Sequence, residues 1–413
     1  MKNLKQFIND TFNYTFSKFF PAITGLIYVL IFSKIIGVNE YGKYSFLFYQ
    51  FNLIASFSFG WLNQATLRYS SSFEQPSKKY LILSSMLLIL PLLLILNFRN
   101  NISLNLLVIS FFCILSISLN SYVRILLQSA FLSKSVAMLS LLQSMLSLAL
   151  PAIYLFYRNG NGLILISFSS LSALIASIIF FTIKNKKFSQ HSYKIIDNKQ
   201  IYYKWLSFGL PVSIWAGLSL LLPYLDRIFI SKSDFSSELG VFSTLSDFST
   251  RFFSFAIFPF TMALYPKLSK FWNENNKKKT IIIIQDAIIT IFIIILFAFF
   301  FMIVFRDNII FLLKFLFPEI STLKLNIFFP IVLSGVIWQL SLIIHKIIEL
   351  SEKTYLMITF IIFSIFVNIV GNLIFLPRFG IMATALTGLC SSMIYCFSAF
   401  FYFMKFRRNY IKR

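Results

Sequence analysis

Long apolar runs separated by short polar gaps dominate the chain. Stretches such as Ile281–Val304 and Tyr355–Leu376 carry almost no charge, and a helix needs roughly 20 apolar residues to cross the hydrocarbon core of a membrane. Open strands would leave backbone groups unsatisfied in lipid, so the spans are predicted to be helices. The pattern predicts twelve spans, at residues 14–36, 42–63, 79–97, 104–127, 136–156, 163–184, 205–231, 239–265, 280–305, 325–345, 355–376 and 380–404.

Composition agrees with an all-α integral membrane protein. Hydrophobic residues make up 58% of the chain and charged residues 12%, about half the charged fraction of a soluble domain. The segment Met1–Tyr14 is amphipathic and is expected to lie at the membrane interface. The predicted domains are an N-terminal lobe at 1–184, a basic cytoplasmic linker at 185–204 and a C-terminal lobe at 205–413.

Basic residues are distributed unevenly between alternate loops. Most of the 37 Lys and Arg residues fall in one set of loops, which includes both ends of the chain. The excess of positive charge marks the cytoplasmic side, so both termini are predicted to be cytoplasmic. The net charge of +23 therefore reflects membrane topology, and nucleic acid is not an expected partner. Membrane lipids are an expected partner, because clustered lysines attract anionic headgroups.

The two halves share a pattern. Each has a proline near the start of its first span, Pro21 and Pro211, followed by a Glu-x-Gly-x-aromatic-Ser turn at Glu40–Ser45 and at Glu238–Ser243. Six spans per half return the chain to its starting side, which predicts a parallel repeat, and such transporters bind substrate at the repeat interface. Pro21 and Pro211 are the predicted hinges for rocking of the lobes.

Sequence motifs for common chemistry are absent. The chain has no Gly-x-x-x-x-Gly-Lys-Ser/Thr loop, no His-Glu-x-x-His and no metal-spaced Cys or His cluster. Neither a cofactor nor a metal is expected. The predicted outside loops are short and nearly free of carboxylates, which favours a transporter over an enzyme. His191 and His345 fall in or beside polar gaps and are predicted to be solvated loop residues.

Charged residues inside the spans are the candidate site, because an ionisable side chain at the centre of a membrane helix is costly. Asp247 and Arg251 would lie about 12 and 18 Å deep, by a rise of 1.5 Å per residue, and four residues apart they can pair. Two interpretations stay open. They form an internal ion pair that fixes helix packing, or they line a water-filled cavity where Asp247 titrates or binds a cation.

Other embedded charges extend the candidate set. Asp226 and Arg227 lie near the outer end of the seventh span, Lys18 near the cytoplasmic start of the first, and Arg124 near the cytoplasmic end of the fourth. Depth alone favours Arg227 as an interfacial anchor, and Lys18 and Arg124 could also extend to the interface. Basic residues outnumber acids, so a cavity lined by Lys18, Arg124, Arg227 and Arg251 would favour an anion such as a diphosphate, which arginine binds with two nitrogens at once. Asp226 and Asp247 are the candidates for ion coupling or pairing.

Several motifs resemble those of a known family. The segments Phe32–Tyr44, Leu225–Ile230, Glu238–Ser243 and Leu264–Ser269 look like the corresponding parts of Wzx-type O-antigen and polysaccharide flippases. That family belongs to the superfamily of the multidrug and toxin extrusion (MATE) transporters. The resemblance covers the whole chain in length and span count, and Asp226-Arg227 is the pair that carries over residue by residue.

The resemblance implies a fold and a function. The fold would be two six-helix lobes forming a V around a central cavity. The function would be movement of an undecaprenyl-diphosphate-linked oligosaccharide to the periplasmic leaflet of the bacterial inner membrane by alternating access, coupled to an H⁺ or Na⁺ gradient. The product would be O antigen, within lipopolysaccharide, or another surface polysaccharide. Contacts with the polysaccharide polymerase and chain-length machinery are a further expectation.

Two alternatives remain at this point. A multidrug or cation exporter of the same fold would need a cavity with acidic or aromatic character, and the basic bias argues against it. A membrane polymerase or acyltransferase would need catalytic residues on a large outside loop or a membrane-embedded histidine.

Overall fold

The computed structural model describes residues 2–69, 74–97, 103–188, 194–195, 199–351 and 353–411. Nearly all of this part is helical. The helices are α1 (Lys2–Ile35), α2 (Val38–Tyr69), α3 (Lys78–Asn97), α4 (Leu104–Ser129), α5 (Ser133–Tyr157), α6 (Gly162–Phe188), α7 (Lys199–Ser231), α8 (Leu239–Asn273), α9 (Lys277–Val304), α10 (Arg306–Leu316), α11 (Thr322–Leu325), α12 (Phe328–Ile344), α13 (Lys346–Leu350), α14 (Thr354–Phe379) and α15 (Ile381–Ile411). Two-residue strands β1 (Glu74–Gln75) and β2 (Lys194–Ile195) pair in parallel.

The all-helical membrane fold predicted from the sequence is confirmed, and each predicted span falls on a helix. Within the described residues, nine helices are long and apolar enough to cross a membrane. Among the other predicted spans, α3 contains a shorter apolar stretch, Tyr80–Ile95. The remaining two are α2 and α8, which contain the polar residues of the repeated turn motif and the embedded Asp247. Twelve crossings therefore stay a prediction.

Two predicted segments lie partly outside the described residues. In the predicted linker at 185–204, residues 189–193, which include His191, and 196–198 are not described. Of the predicted interfacial segment Met1–Tyr14, the described part is continuous with the first span, because α1 runs from Lys2 to Ile35 without a break. The amphipathic character predicted for its first eleven side chains lies outside the described part.

The chain forms two compact units. The first unit comprises Met1–Thr24 and Leu47–Leu221, and the second comprises Gly25–Phe46 and Leu222–Arg413. Three helices, α1, α2 and α7, therefore each contribute one end to each unit. The boundary predicted at 185–204 between the two six-helix lobes stays a prediction.

Each unit has its own packed interior. In the first unit α6 packs against α4 and α5, and a buried cluster joins Val123, Leu127, Val136, Leu139 and Phe180. In the second unit α15 packs along α12 and α14. Large apolar side chains are also exposed, especially along α9, where Phe297 is 70% exposed. Contiguous exposed apolar surface on this scale is expected of helices that face lipid.

A tight turn places the start of α2. Gly37 links α1 to α2 with a φ of +82°, a conformation that side chains other than glycine rarely adopt. The backbone N–H of Val38 donates to Glu319 Oε2 at 3.1 Å. A carboxylate at this position satisfies an N–H that the helix itself cannot and interacts favourably with the helix dipole. The loop after α10 thereby fixes the start of α2 within the second unit.

Candidate functional site

A basic pair lies in the first unit. Lys18 of α1 is exposed, and Arg124 of α4 is close enough for its charge to act on Lys18. The Arg124 Nη2 donates to Gln143 Oε1 at 2.8 Å and to Asn120 Oδ1 at 3.4 Å. Its Nε is buried and has no hydrogen-bond partner among the described residues. A buried guanidinium donor beside a second positive charge has the chemistry to bind an anion.

Amides hold this arginine in place. Asn120 is itself fixed, because its Nδ2 donates to Ala173 O and to Ser177 Oγ of α6, both at 3.0 Å. Gln143 reaches Arg124 from α5. One guanidinium edge is therefore fixed by residues of α4 and α5, and α6 supports Asn120. Such support fixes the orientation of a binding group before its ligand arrives.

Arg227 is the centre of a second polar network, in the second unit. It is fully buried, and its Nη2 forms an ion pair with Asp247 Oδ1 at 2.8 Å. Its Nε donates to Ser45 Oγ at 2.9 Å, and its Nη1 to Pro223 O at 2.7 Å. Tyr41 OH donates to Asp247 Oδ2 at 3.1 Å. Both charges are thus paired and hydrogen-bonded, as burial requires.

The burial of Arg227 distinguishes it from a residue at the membrane interface. A residue that anchored its helix at the membrane interface would extend to solvent, whereas this side chain is fully buried. Asp247 has Arg227 and Tyr41 as hydrogen-bond partners. The pairing predicted between Asp247 and Arg251 stays a prediction. Arg251 packs against α1, since a Cβ added to Gly25 would lie 2.8 Å from the Arg251 Cδ.

Asp226 occupies a separate polar pocket of the second unit. Its Oδ1 accepts from Asn368 Nδ2 at 2.9 Å and from Asn372 Nδ2 at 3.4 Å. Asn372 is 1% exposed, and its Oδ1 has no hydrogen-bond partner in the described part of the chain. On α15, Gly388 leaves room beside the carboxylate, because a Cβ there would lie 3.6 Å from Asp226 Oδ2. Neither asparagine was predicted from the sequence, although their spacing of four along one span places them on one helix face.

The two predicted hinge prolines lie within continuous helices, Pro21 in α1 and Pro211 in α7. The first unit ends at Thr24 in α1, three residues after Pro21. Near Pro211, Ser213 Oγ donates to Ser56 O at 2.8 Å and ties α7 to α2. The hinge role of both prolines stays a prediction.

His345 differs from its predicted position in a solvated loop. It is 1% exposed and lies between α12 and α13, where its Nδ1 is 3.0 Å from Tyr395 OH of α15. The prediction was wrong because a polar gap in the sequence is here a helix junction covered by α15. No group of three His, Cys, Asp or Glu side chains within the described ranges could hold a metal ion.

Known structures share this fold. The structure of a mutant of the Vibrio cholerae MATE transporter VcmN is 15% identical in sequence to this chain. The alignment covers 100% of this chain and 99% of the VcmN chain, with a TM-score of 0.67. A MATE transporter in a bent conformation is 13% identical over 98% of this chain and 95% of its own, with a TM-score of 0.62. A MOP-superfamily transporter from Pyrococcus furiosus is 15% identical over 98% of this chain and 96% of its own, with a TM-score of 0.60. It is described as having a binding pocket of reversed polarity that suggests a different function. No curated protein matches.

The fold and the apolar helices define a multi-pass membrane protein with the fold of the MATE transporters. Residues 7–272 match the family described as polysaccharide biosynthesis protein. The chain belongs to that family. The resemblance to polysaccharide flippases is thereby confirmed for family and fold.

Proposed function

We propose that the protein is a flippase that moves an undecaprenyl-diphosphate-linked oligosaccharide from the cytoplasmic to the periplasmic leaflet by alternating access. The polysaccharide biosynthesis family and the transporter fold support this proposal. The observation that carries it is the buried Nε of Arg124, which has no hydrogen-bond partner among the described residues. The glycan would serve O antigen or another surface polysaccharide.

A diphosphate suits Lys18 and Arg124 by charge. Gln143 and Asn120 occupy the Nη2 of Arg124 and leave its Nε as a donor. Arginine binds phosphate oxygens with adjacent nitrogens, and lysine adds a mobile point charge. In this proposal Lys18 and Arg124 contact the diphosphate. Arg227 and Asp247 instead tie α7 to α8, and Arg251 stays a predicted diphosphate ligand beside Gly25.

A multidrug or cation exporter is the second candidate, and the fold supports it equally, since two of the structural neighbours described above are MATE transporters. The Asp226 pocket is the feature that favours it, because a carboxylate attracts cations. The neighbouring positive charges of Lys18 and Arg124 disfavour an organic cation in the first unit. The Pyrococcus furiosus neighbour, described as having a pocket of reversed polarity, offers a precedent for such variation within the superfamily.

Coupling to an ion gradient is assigned to Asp226 in this proposal. Asn368 and Asn372 surround one oxygen of its carboxylate, and the Asn372 Oδ1 is an available acceptor. Carboxylate and amide oxygens bind small hard cations, and a carboxylate can also bind a proton. Na⁺ or H⁺ would occupy this pocket while the protein rocks at Pro21 and Pro211. Both termini would face the cytoplasm, in the inner membrane.

Complementation in a deletion strain tests the function. Wild-type protein is expected to restore surface glycan, whereas Arg124→Gln should lower it about tenfold or more, the loss expected when one charged contact is removed. Arg124→Lys should retain part of the activity. Arg158→Gln changes an exposed arginine at the end of α5 and serves as the control.

Lipid-linked oligosaccharide should accumulate inside the cells that lose surface glycan. Normal surface glycan in the deletion strain, with no second flippase encoded, would overturn the proposal. Efflux of organic cations that depends on this gene, without any change in glycan, would identify an exporter instead.

A further inference from the structure

The start of α9 concentrates positive charge at one end of the second unit. Its first turn contains Lys277, Lys278 and Lys279 and no acidic residue. The N-terminus of a helix already carries a partial positive charge, so lysines there are unfavourable and anions are favourable. Asn276 caps the helix, its Oδ1 accepting from Lys279 N at 3.1 Å. One exposed carboxylate, Glu274, lies in the turn before the helix, so the three lysines still leave an excess of positive charge that an external anion would relieve.

Aromatic rings hold these lysines in place. Trp272 of α8 stacks on Phe406 of α15 with ring centres 6.1 Å apart, and Phe406 stacks on Tyr410 at 4.5 Å. The Lys277 Nζ lies 5.5 Å from the Trp272 ring centre, 5.1 Å from that of Tyr410 and 3.5 Å from Tyr410 OH. Cation–π contacts of this kind hold an ammonium group beside the rings while its other face stays open to solvent.

Two further cations complete a basic-aromatic cluster, which we define as Phe271, Trp272, Lys277, Lys279, Arg407 and Tyr410. The Lys279 Nζ lies 4.2 Å from the Phe271 ring centre. Arg407, in the last turns of α15, is held by Gln285 of α9, whose side-chain oxygen, with the amide oriented to satisfy both residues, accepts from its Nη1 and Nε at 3.2 Å. The ends of α9 and α15 thus present positive charge beside aromatic rings of α8 and α15.

An apolar wall begins directly beyond the cluster. Ile282, Ile289, Ile293 and Phe297 are all exposed, by 44 to 70%, and their spacing places them on one face of α9. Asp286 is also exposed on this side, about 10 Å along the helix from Lys279. A carboxylate there repels a second anion, so a negatively charged head would be confined to the first turn.

We infer that the basic-aromatic cluster binds the phosphate head of an anionic phospholipid, whose acyl chains lie along the exposed face of α9. The inference needs only that the protein spans a membrane and does not rest on the proposed transport function. Polyprenyl diphosphate shares the chemistry of a phosphate head on an apolar chain. The phospholipid is favoured because Lys278, Lys279 and the apolar face of α9 beyond them are exposed, as is expected of a helix that faces bulk lipid.

Native mass spectrometry of the full chain in micelles doped with phosphatidylglycerol or phosphatidylcholine tests the site. Wild-type protein should retain phosphatidylglycerol preferentially. Lys277→Gln combined with Lys279→Gln should weaken that binding about thirtyfold, from the contribution of each lysine to anionic-lipid attraction. Lys277→Arg combined with Lys279→Arg keeps both charges and should bind phosphatidylglycerol as the wild type does. Lys232→Gln removes one exposed lysine at the end of α7 and should change nothing.

Asp286→Asn keeps the cluster intact and provides a second measure if the double variant fails to fold. It should leave phosphatidylglycerol binding unchanged or strengthen it. Equal binding of the two phospholipids by wild-type protein would overturn the inference, as would undiminished binding by the Gln double variant or weaker binding by Asp286→Asn. Preference for polyprenyl diphosphate over phosphatidylglycerol, lost with the lysines, would also overturn it, because the cluster would then be a dock for the carrier lipid.

Discussion

Gly42 of α2 and Gly240 of α8 lie backbone against backbone, so that a Cβ added to Gly42 would come within 2.6 Å of the Gly240 Cα. The two glycines hold the same place in the two copies of the Glu-x-Gly-x-aromatic-Ser turn. The repeat detected in the sequence therefore makes contact with itself inside the second unit. A residue with any side chain at either position would force the two helices apart.

Alanine at either glycine should destabilise the protein. Gly42→Ala or Gly240→Ala is expected to cost about 1–3 kcal/mol, the usual range for overpacking a closely packed site. Thermal unfolding in detergent micelles measures the loss. Gly335→Ala is the matched control, because the nearest atom to its added Cβ is Phe253 Cδ2 at 3.5 Å, an ordinary contact. Equal stability of the Gly42 and Gly335 variants would contradict the close approach.

The sequence predicted what depends on local pattern. Apolar runs long enough to cross lipid predicted the helices, and the turn motif predicted matched segments whose glycines are now seen in contact. Pairings between helices were missed. Arg227 and Asp247 are 20 residues apart on different helices. Helical periodicity relates only residues of the same helix. It could therefore predict a pair of Asp247 with Arg251 but not the pair of Asp247 with Arg227.

The polar residues that support the site were also missed. Gln143 and Asn372 stood out from no motif, because an uncharged amide inside an apolar run is common and a hydrogen bond to a distant helix leaves no local signal. His345 was misplaced for a related reason. A short polar gap predicts a loop, but only the tertiary structure shows that Tyr395 of α15 covers it.

Breaking the Arg227–Asp247 pair should be costly. Arg227→Met leaves a buried carboxylate without its counter-charge and is expected to lower stability by about 3–5 kcal/mol, whereas Arg227→Met combined with Asp247→Leu should recover much of that loss. Thermal unfolding of the two single variants and the double variant gives the interaction energy.

A pair that is less buried provides the comparison. Lys324 and Glu238 are 2.9 Å apart with side chains 41% and 19% exposed, and Lys324→Met should cost no more than about 1 kcal/mol. If Lys324→Met and Arg227→Met lost the same stability, burial of the Arg227 network would not be the cause of the loss in Arg227→Met.

Removing one hydroxyl should reveal the buried contact of His345. Tyr395→Phe keeps the ring that packs against Trp338 but deletes the OH that lies 3.0 Å from His345 Nδ1. Loss of a buried hydrogen bond of this kind costs about 1–3 kcal/mol, measured as a lower unfolding temperature. Tyr355→Phe removes a hydroxyl from a side chain that is 60% exposed and should be neutral. A neutral Tyr395→Phe would mean that the hydroxyl contributes nothing to stability.

Removing the charge of Asp226 should separate transport from its driving gradient. Asp226→Asn keeps the size of the side chain and can still hydrogen-bond Asn368 and Asn372, so the protein should fold, but it can no longer bind a cation or proton by charge. In proteoliposomes, an imposed Na⁺ or H⁺ gradient should accelerate flipping of a lipid-linked oligosaccharide by wild-type protein and not by the variant, while flipping without a gradient continues in both. Asp234→Asn, at an exposed position after α7, should respond as wild type. If the gradient accelerated flipping by Asp226→Asn as much as by wild-type protein, the assignment of ion coupling to Asp226 would be wrong, because the variant has no carboxylate in this pocket.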